Sequence, residues 1–157
     1  MIIHIARIPV GGEYIEGVEP LDALDLVRPD VVLPKEYNYR LYVCAIEHEV
    51  VVTGKIWLDV EFACCRCACR FGKRLEINDF DSQAEFGDRT ESIDLTVDIR
   101  DVILLAFPNY PNCKDDCKGL CPQCGKNLNV GKCRCKPPVL TGEWDDLDRL
   151  KIKIKRS

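Results

Sequence analysis

Cysteines separated by one, two or three residues are the side chains of this sequence whose spacing dictates chemistry. Between residues 113 and 135 it reads C-KDD-C-KGL-C-PQ-C-GKNLNVGK-C-R-C, placing Cys113, Cys117, Cys121, Cys124, Cys133 and Cys135 within twenty-three positions. A second run, Cys64-Cys65-Arg66-Cys67-Ala68-Cys69, lies upstream. Such clusters are metal ligands or disulfides, and the redox compartment decides which. The sequence opens MIIHIARIPVGGEYIEG, with no basic n-region, long apolar h-region or small-residue cleavage site. No stretch approaches the ~20 apolar residues needed to span a bilayer. The expectation is a soluble cytoplasmic protein with reduced thiols, where these spacings favour zinc. The odd total of eleven cysteines also suits ligands better than complete pairing.

Cys121-Pro122-Gln123-Cys124-Gly125 has the form of half a zinc knuckle. Two intervening residues let both sulfurs point into one turn, at Zn–S distances of about 2.3 Å. Pro122 fixes one dihedral, and Gly125 can take positive φ, which lets nearby backbone N–H groups face the thiolates. The loop 125–132 returns to Cys133-Arg134-Cys135, whose side chains share one face if that segment is extended. A site of Cys121, Cys124, Cys133 and Cys135 is therefore locally closed. Cys113 and Cys117, spaced as on one helical face, need two more ligands, and Cys64 and Cys67 are the available donors. Their union would make a second four-cysteine site joining a hairpin to the C-terminal module. Alternatively, the six C-terminal cysteines share one zinc with some to spare, or exchange partners. Cys65 and Cys69 read as spares, and Cys44 as a small core residue.

Other chemistry finds little support. His4 and His48 lie far in sequence from any metal-spaced cluster and read as packing or surface residues. Trp57 and Trp144 read as partial-core anchors. Lys114, Lys118, Lys126 and Lys132 form either a solvated face or a phosphate-binding one. Four cysteines filling a zinc site leave no open position for catalysis. No Ser/His/Asp set, HExxH or phosphate-cradling glycine loop is present, so a non-catalytic protein is expected. A thiol-redox protein using C-x-x-C is a minor rival that would need an accessible low-pKa cysteine.

The elements that must position these cysteines are mostly strands. Tyr37, Tyr39, Leu41, Val43 and Ala45 alternate with Asn38, Arg40, Tyr42, Cys44 and Ile46. Ile56, Leu58, Val60, Phe62 and Cys64 share a face opposite Lys55, Trp57, Asp59 and Glu61. Residues 71–80 then return, leaving 64–69 at the exposed tip of an antiparallel hairpin. Ile2 to Ile8 reads as a short strand, and Leu21–Val27 as a possible helical turn. Residues 92–107 fit both periods; a helix is favoured in the second half, with Asp94 or Asp98 near its start and Pro108 beyond its end. Trp144, Leu147 and Leu150 form a short apolar stripe. The fold class expected is α+β, an antiparallel β-rich core (1–112) followed by a cysteine-rich zinc-binding module and basic tail (113–157). Residues 1–112 carry 11 Lys/Arg against 20 Asp/Glu, and residues 113–157 carry 11 against 6. By net charge alone, the second part is the one expected to approach a polyanion.

Together these landmarks resemble the YceD-like family of large ribosomal RNA subunit accumulation proteins. The resemblance runs from about residue 38 to 153, through Cys64-x-Arg66-Cys67, IDLTVDIRDVILLAFP, CKDDCKGLCPQCGKNLN and Cys133-x-Cys135. The matching positions also include Gly119, Leu120, Pro122, Gly125, Asn127, Leu128 and Asn129; Cys65 and Cys69 depart from the pattern. The resemblance implies a cytoplasmic bacterial protein supporting 23S ribosomal RNA accumulation, with no catalytic activity to carry over. The function expected is a zinc-binding factor that binds ribosomal RNA or a large-subunit assembly intermediate. Its phosphate contacts would come from Lys118, Lys126, Lys132, Arg134, Lys151, Lys153, Lys155 and Arg156. The alternative is an adaptor that docks on a ribosomal protein or assembly factor through its zinc module or acidic face. Neither version needs a membrane or a small-molecule substrate.

Overall fold

The computed structural model describes residues 1–26, 31–87 and 89–135. It is mostly antiparallel β-sheet with one α-helix among the described residues. Two compact units are present, Met1–Cys117 and Lys118–Ser157. The first contains a sheet built from β2 (Glu13–Pro20), β4 (Glu36–Ile46), β5 (Glu49–Ala63) and β6 (Arg70–Glu85). The two-residue β3 (Val31–Val32) pairs with Phe62 and Glu61 of β5. A separate two-stranded ribbon joins β1 (Ile2–His4) to β7 (Ser92–Asp94).

Alternation of apolar and polar residues makes β5 the centre of this sheet. Val50, Val52, Ile56, Leu58, Val60 and Phe62 are buried on one side, facing Leu75, Ile77 and Phe80 of β6 and Tyr37, Leu41 and Val43 of β4. The helix α1 (Thr96–Ala106) adds Ile99 and Ile103 to the same core, with Leu95 and Phe107 at its ends. Each such side chain, fully buried, contributes roughly 1.5–3 kcal/mol. The Phe107 ring meets Phe62 edge-on at 6.0 Å. The buried Ser82 hydroxyl donates to the Asp98 carboxylate, tying the helix to β6.

The hairpin, the inward face of β5 and the late helix follow the sequence pattern, but three segments differ from it. Residues 2–8 are not one strand. Their partner β7 is three residues long, so the ladder ends at His4 and Ile5–Arg7 closes as a 3-10 turn. The strand β2 was not apparent, because Gly17 and Pro20 weaken the alternation of a segment with three glutamates. Residues 113–117 are not helical; the Cys117 N–H returns to the Lys114 carbonyl at 3.2 Å, forming a turn. Five residues bounded upstream by Pro111 cannot repay the cost of nucleating a helix. Leu21–Leu24 forms a 3-10 turn, while Val27 lies outside the described residues.

Candidate metal centre

Strand β5 ends at Ala63 and β6 starts at Arg70, so residues 64–69 form the hairpin tip. The tip is held by two backbone bonds: Cys64 N–H to Cys69 O, and Ala68 N–H to Cys64 O, both 2.9 Å. Ala68 sits in the left-handed region with φ +58°. The same turn recurs in the second unit. Cys121 N–H donates to Lys126 O at 2.8 Å, Gly125 N–H donates to Cys121 O at 2.9 Å, and Gly125 has φ +70°. Cys64-x-x-Cys67 and Cys121-x-x-Cys124 are therefore two copies of one knuckle. Only glycine takes this φ without strain, so the second copy, with Gly125, is visible in the sequence and the first, with Ala68, is disguised.

Each knuckle is completed by two further sulfurs. Cys113 and Cys117 join Cys64 and Cys67, while Cys133 and Cys135 join Cys121 and Cys124; within each group the sulfurs lie within 4.8 Å of one another. All four members of the first group belong to the unit Met1–Cys117, and all four of the second to the unit beginning at Lys118. Cys64 Sγ lies 3.8 Å from Cys117 Sγ, and Cys67 Sγ 3.7 Å from Cys113 Sγ. A disulfide requires about 2.05 Å, so neither of these contacts is a disulfide. Either group could hold a metal ion.

The electrostatics of the two groups are parallel. Burial raises the pKa of Cys64, but backbone N–H groups of Cys113, Cys67 and Arg66 outweigh it and hold the thiol down at about 6. The N–H groups of Cys124 and Gln123, aided by the Cys133 thiol, bring Cys121 to about 6. Their neighbours move the other way. The Cys69 N–H favours the Cys67 thiolate, yet burial and the surrounding thiols push it up to about 12. Cys135 is pushed up to about 12 by the Cys124 thiol, desolvation and Cys121. One thiolate forms readily in each group and opposes the next, a repulsion that a bound dication removes.

Supporting contacts hold the ligand loops. The Arg66 guanidinium donates to the Cys117 carbonyl at 3.2 Å, linking the first knuckle to its completing turn. Cys65 N–H donates to Pro111 O at 2.9 Å, and its exposed thiol donates to Asn112 Oδ1 at 3.1 Å. In the second unit, Asn129 Oδ1 accepts from Lys118 N–H, and Asn127 Oδ1 accepts from Asn129 N–H, each at 2.9 Å. The Leu128 N–H returns to Gly119 O at 2.9 Å. Cysteine spacing carries no signature of the bonds of Arg66 and Asn112, which join residues 51 and 47 positions apart.

The remaining candidate residues stand apart from the sulfurs. Lys118, Lys126, Lys132 and Arg134 are exposed, with Lys126 Nζ donating to the Lys132 carbonyl at 3.1 Å. Lys151, Lys153, Lys155 and Arg156, and the stripe Trp144, Leu147 and Leu150, lie outside the described residues. His4 and His48 are exposed, and Cys44 is half-buried and belongs to neither sulfur group. Among the described residues no helix is long and apolar enough to cross a membrane.

A family model described as large ribosomal RNA subunit accumulation protein YceD matches residues 52–151, a stretch containing all eight grouped cysteines. The chain is 40% identical over 65 residues to a Zea mays protein named large ribosomal RNA subunit accumulation protein YCED homolog 1, chloroplastic, covering 41% of this chain and 22% of that one. The Arabidopsis thaliana protein of the same name is 37% identical over 57 residues, covering 36% and 18%. An uncharacterized Mycobacterium tuberculosis protein is 31% identical over 102 residues, covering 56% and 49%. The chain thus spans less than half the length of these curated relatives. No solved structure matches it.

Proposed function

The chain belongs to the YceD family of large ribosomal RNA subunit accumulation proteins, and on that premise we propose that it is a non-catalytic, zinc-stabilised factor supporting 23S ribosomal RNA accumulation. It acts by binding ribosomal RNA or a large-subunit assembly intermediate, in the bacterial cytoplasm. The observation that carries this reading is the twin knuckle within the family-matched stretch. A tetrahedral zinc with Zn–S of about 2.3 Å has S–S edges of about 3.8 Å. Two of the sulfur–sulfur separations in the first group are 3.8 and 3.7 Å, and the rest lie within 4.8 Å. Four thiolates would close each zinc, leaving no position for a reacting water, so the metal's role is structural. Backbone N–H groups at Cys64 and Cys121 supply the supporting hydrogen bonds that such thiolates need. Held on this frame, Lys118, Lys126, Lys132 and Arg134 present positive charge to phosphates without reading base sequence.

The acidic balance of residues 1–112, 20 Asp/Glu against 11 Lys/Arg, favours a second reading. In it the protein is an adaptor that docks on a basic ribosomal protein or assembly factor. Zinc content tests the metal that both readings share, and RNA binding by a lysine variant separates them. Elemental analysis of the full chain should find two zincs, falling to one in Cys64→Ser/Cys67→Ser and to one in Cys121→Ser/Cys124→Ser. Absence of zinc from the intact chain would overturn the structural-metal reading and bring the thiol-redox alternative forward. Lys118→Glu/Lys126→Glu/Lys132→Glu should then weaken RNA binding and flatten its salt dependence. Unchanged RNA binding in that variant would remove the knuckle lysines from the interface.

A further inference from the structure

The side of the sheet opposite the core bears a pattern that the metal groups do not use. Direct cross-strand partners point the same way, so Tyr14 of β2 lies beside Tyr42 of β4 and Thr53 of β5. Next along come Glu16, Arg40 and Lys55, followed by Val18, Asn38 and Trp57, with Glu76 of β6 beside Trp57. Three aromatic rings and two cations thus share one open face with the carboxylates of Glu16, Glu76 and Asp81. Tyr14 is 71% exposed and packs on Tyr42 at 5.0 Å. The Arg40 guanidinium lies over the Tyr14 ring at 5.7 Å and reaches Glu16 at 4.0 Å. Four residues of strand separate the tyrosine end from Trp57, about 13 Å, a span exceeding one nucleotide.

A β-bulge makes the Trp57 end concave. Gly54 pairs with Phe80 and Ile56 with Ile77, so Lys55 faces two residues of β6, Asn78 and Asp79. The extra residue keeps Ile77 and Phe80 buried while placing Asn78 and Asp79 successively in solvent. A cleft of about 200 Å³ opens there, lined by Lys55, Ile56, Trp57, Arg74, Glu76, Ile77 and Asn78. Its groups match the parts of one ribonucleotide. Trp57, expected from the sequence to be a partial-core anchor, lies half-buried outside the core cluster and offers a stacking surface, an amide can bond a base edge, and a lysine can meet a phosphate. Asp59 already engages Arg74 through two bonds of 2.9 Å, making that pair a wall. Glu76 can accept from a ribose 2′-hydroxyl, a donor that DNA lacks.

We infer that this open sheet face binds single-stranded RNA, seating a base on Trp57 in the bulge cleft with Lys55 and Arg40 on the flanking phosphates. This rests on the reading that the protein binds RNA, and it adds a surface separate from the lysines of the second unit. Sequence-tolerant stacking with modest charge assistance is the binding mode such a face supports.

The test uses the full zinc-loaded chain carrying Trp144→Phe, which leaves Trp57 as the sole tryptophan. A mixed-sequence single-stranded RNA of about 12 nucleotides, within the usual site size, is titrated while Trp57 emission is followed. Saturable quenching is expected, weaker with DNA of the same sequence. In the Trp144→Phe background Lys55→Glu, an exposed change that spares the packing, should raise Kd about tenfold. With a 5′-labelled RNA, Trp57→Leu should raise Kd about tenfold or more and Trp57→Phe should restore most of the affinity. Trp57 quenching should persist at saturation in Lys118→Glu/Lys126→Glu/Lys132→Glu. RNA binding with unchanged Trp57 emission and full affinity in Lys55→Glu would overturn the sheet face and leave the RNA reading standing. Failure of the intact protein to bind the RNA at all would overturn both.

Discussion

Ala68 and Gly125 occupy the same place in the two knuckles, at φ +58° and +70°. The left-handed conformation costs an L-residue roughly 1 kcal/mol that glycine avoids. Ala68→Gly should therefore stabilise the zinc-loaded protein by up to about 1 kcal/mol. Gly125→Ala, where a Cβ would meet no atom within 4 Å, should destabilise its knuckle by about the same amount. Chemical unfolding of the zinc-loaded variants measures both signs. A matched change of the same sign at the two sites would refute the equivalence of the turns. Cys65 tests ligand identity in the same knuckle. Its thiol is exposed on Asn112 and it lies outside both sulfur groups, so Cys65→Ser should retain the full zinc content by elemental analysis. The C-x-x-C pairs were legible because two-residue spacing is a local constraint. What Arg66 does was not, because its acceptor, the Cys117 carbonyl, lies 51 residues away.

The helix α1 depends on a contact at its entrance. Asp94 Oδ1 accepts from the Thr96 N–H at 2.9 Å and from the Thr96 hydroxyl. The Thr96 hydroxyl and N–H hold the Asp94 carboxyl below its ordinary 3.8. A carboxyl depressed by folding adds stability that is present above its unfolded pKa and lost as pH falls through the folded one. Thermal unfolding should thus show an acid limb below about pH 4, and Asp94→Asn should flatten it. At neutral pH Asp94→Ala should cost about 1 kcal/mol; no loss would mean the carboxylate does not hold the helix start. Element type was readable where periodicity was strong, as in β5, while in α1 both periods fit and Asp94 or Asp98 and Pro108 at its ends favour the helix. The β4–β5 turn is Glu47-His48, with Glu47 at φ +54°. It lacks the Asn-Gly chemistry that announces a two-residue hairpin, so the extension of β5 back to Glu49 was hidden.

At the scale of the molecule, the two units differ in what holds them together. All twenty-one residues of the main core cluster lie between Ile3 and Phe107, within the first unit. In residues 118–135 the larger apolar side chains are Leu120, Leu128 and Val130, of which Leu120 is 40% and Val130 86% exposed. Among the described residues of this unit, burial is too small to offset the conformational entropy, and on the proposed reading a bound metal supplies the difference as folding energy. Chelation should therefore act unequally. Backbone amides of 118–135, including the Cys121, Gly125 and Leu128 N–H groups bonded across the knuckle, should exchange at nearly unprotected rates. Amides of β4, β5 and the body of β6 should stay protected, and faster exchange in the first unit should be confined to the hairpin tip and the 113–117 turn, where Cys64, Cys65, Ala68 and Cys117 bond. Hydrogen exchange before and after chelation, under reducing conditions, resolves the two behaviours. Cys121→Ser should reproduce the loss in 118–135 without chelator. Retained protection there after zinc is removed would show that the second unit folds on its own polar network, the Asn127 and Asn129 bonds, and that the metal is not what orders it.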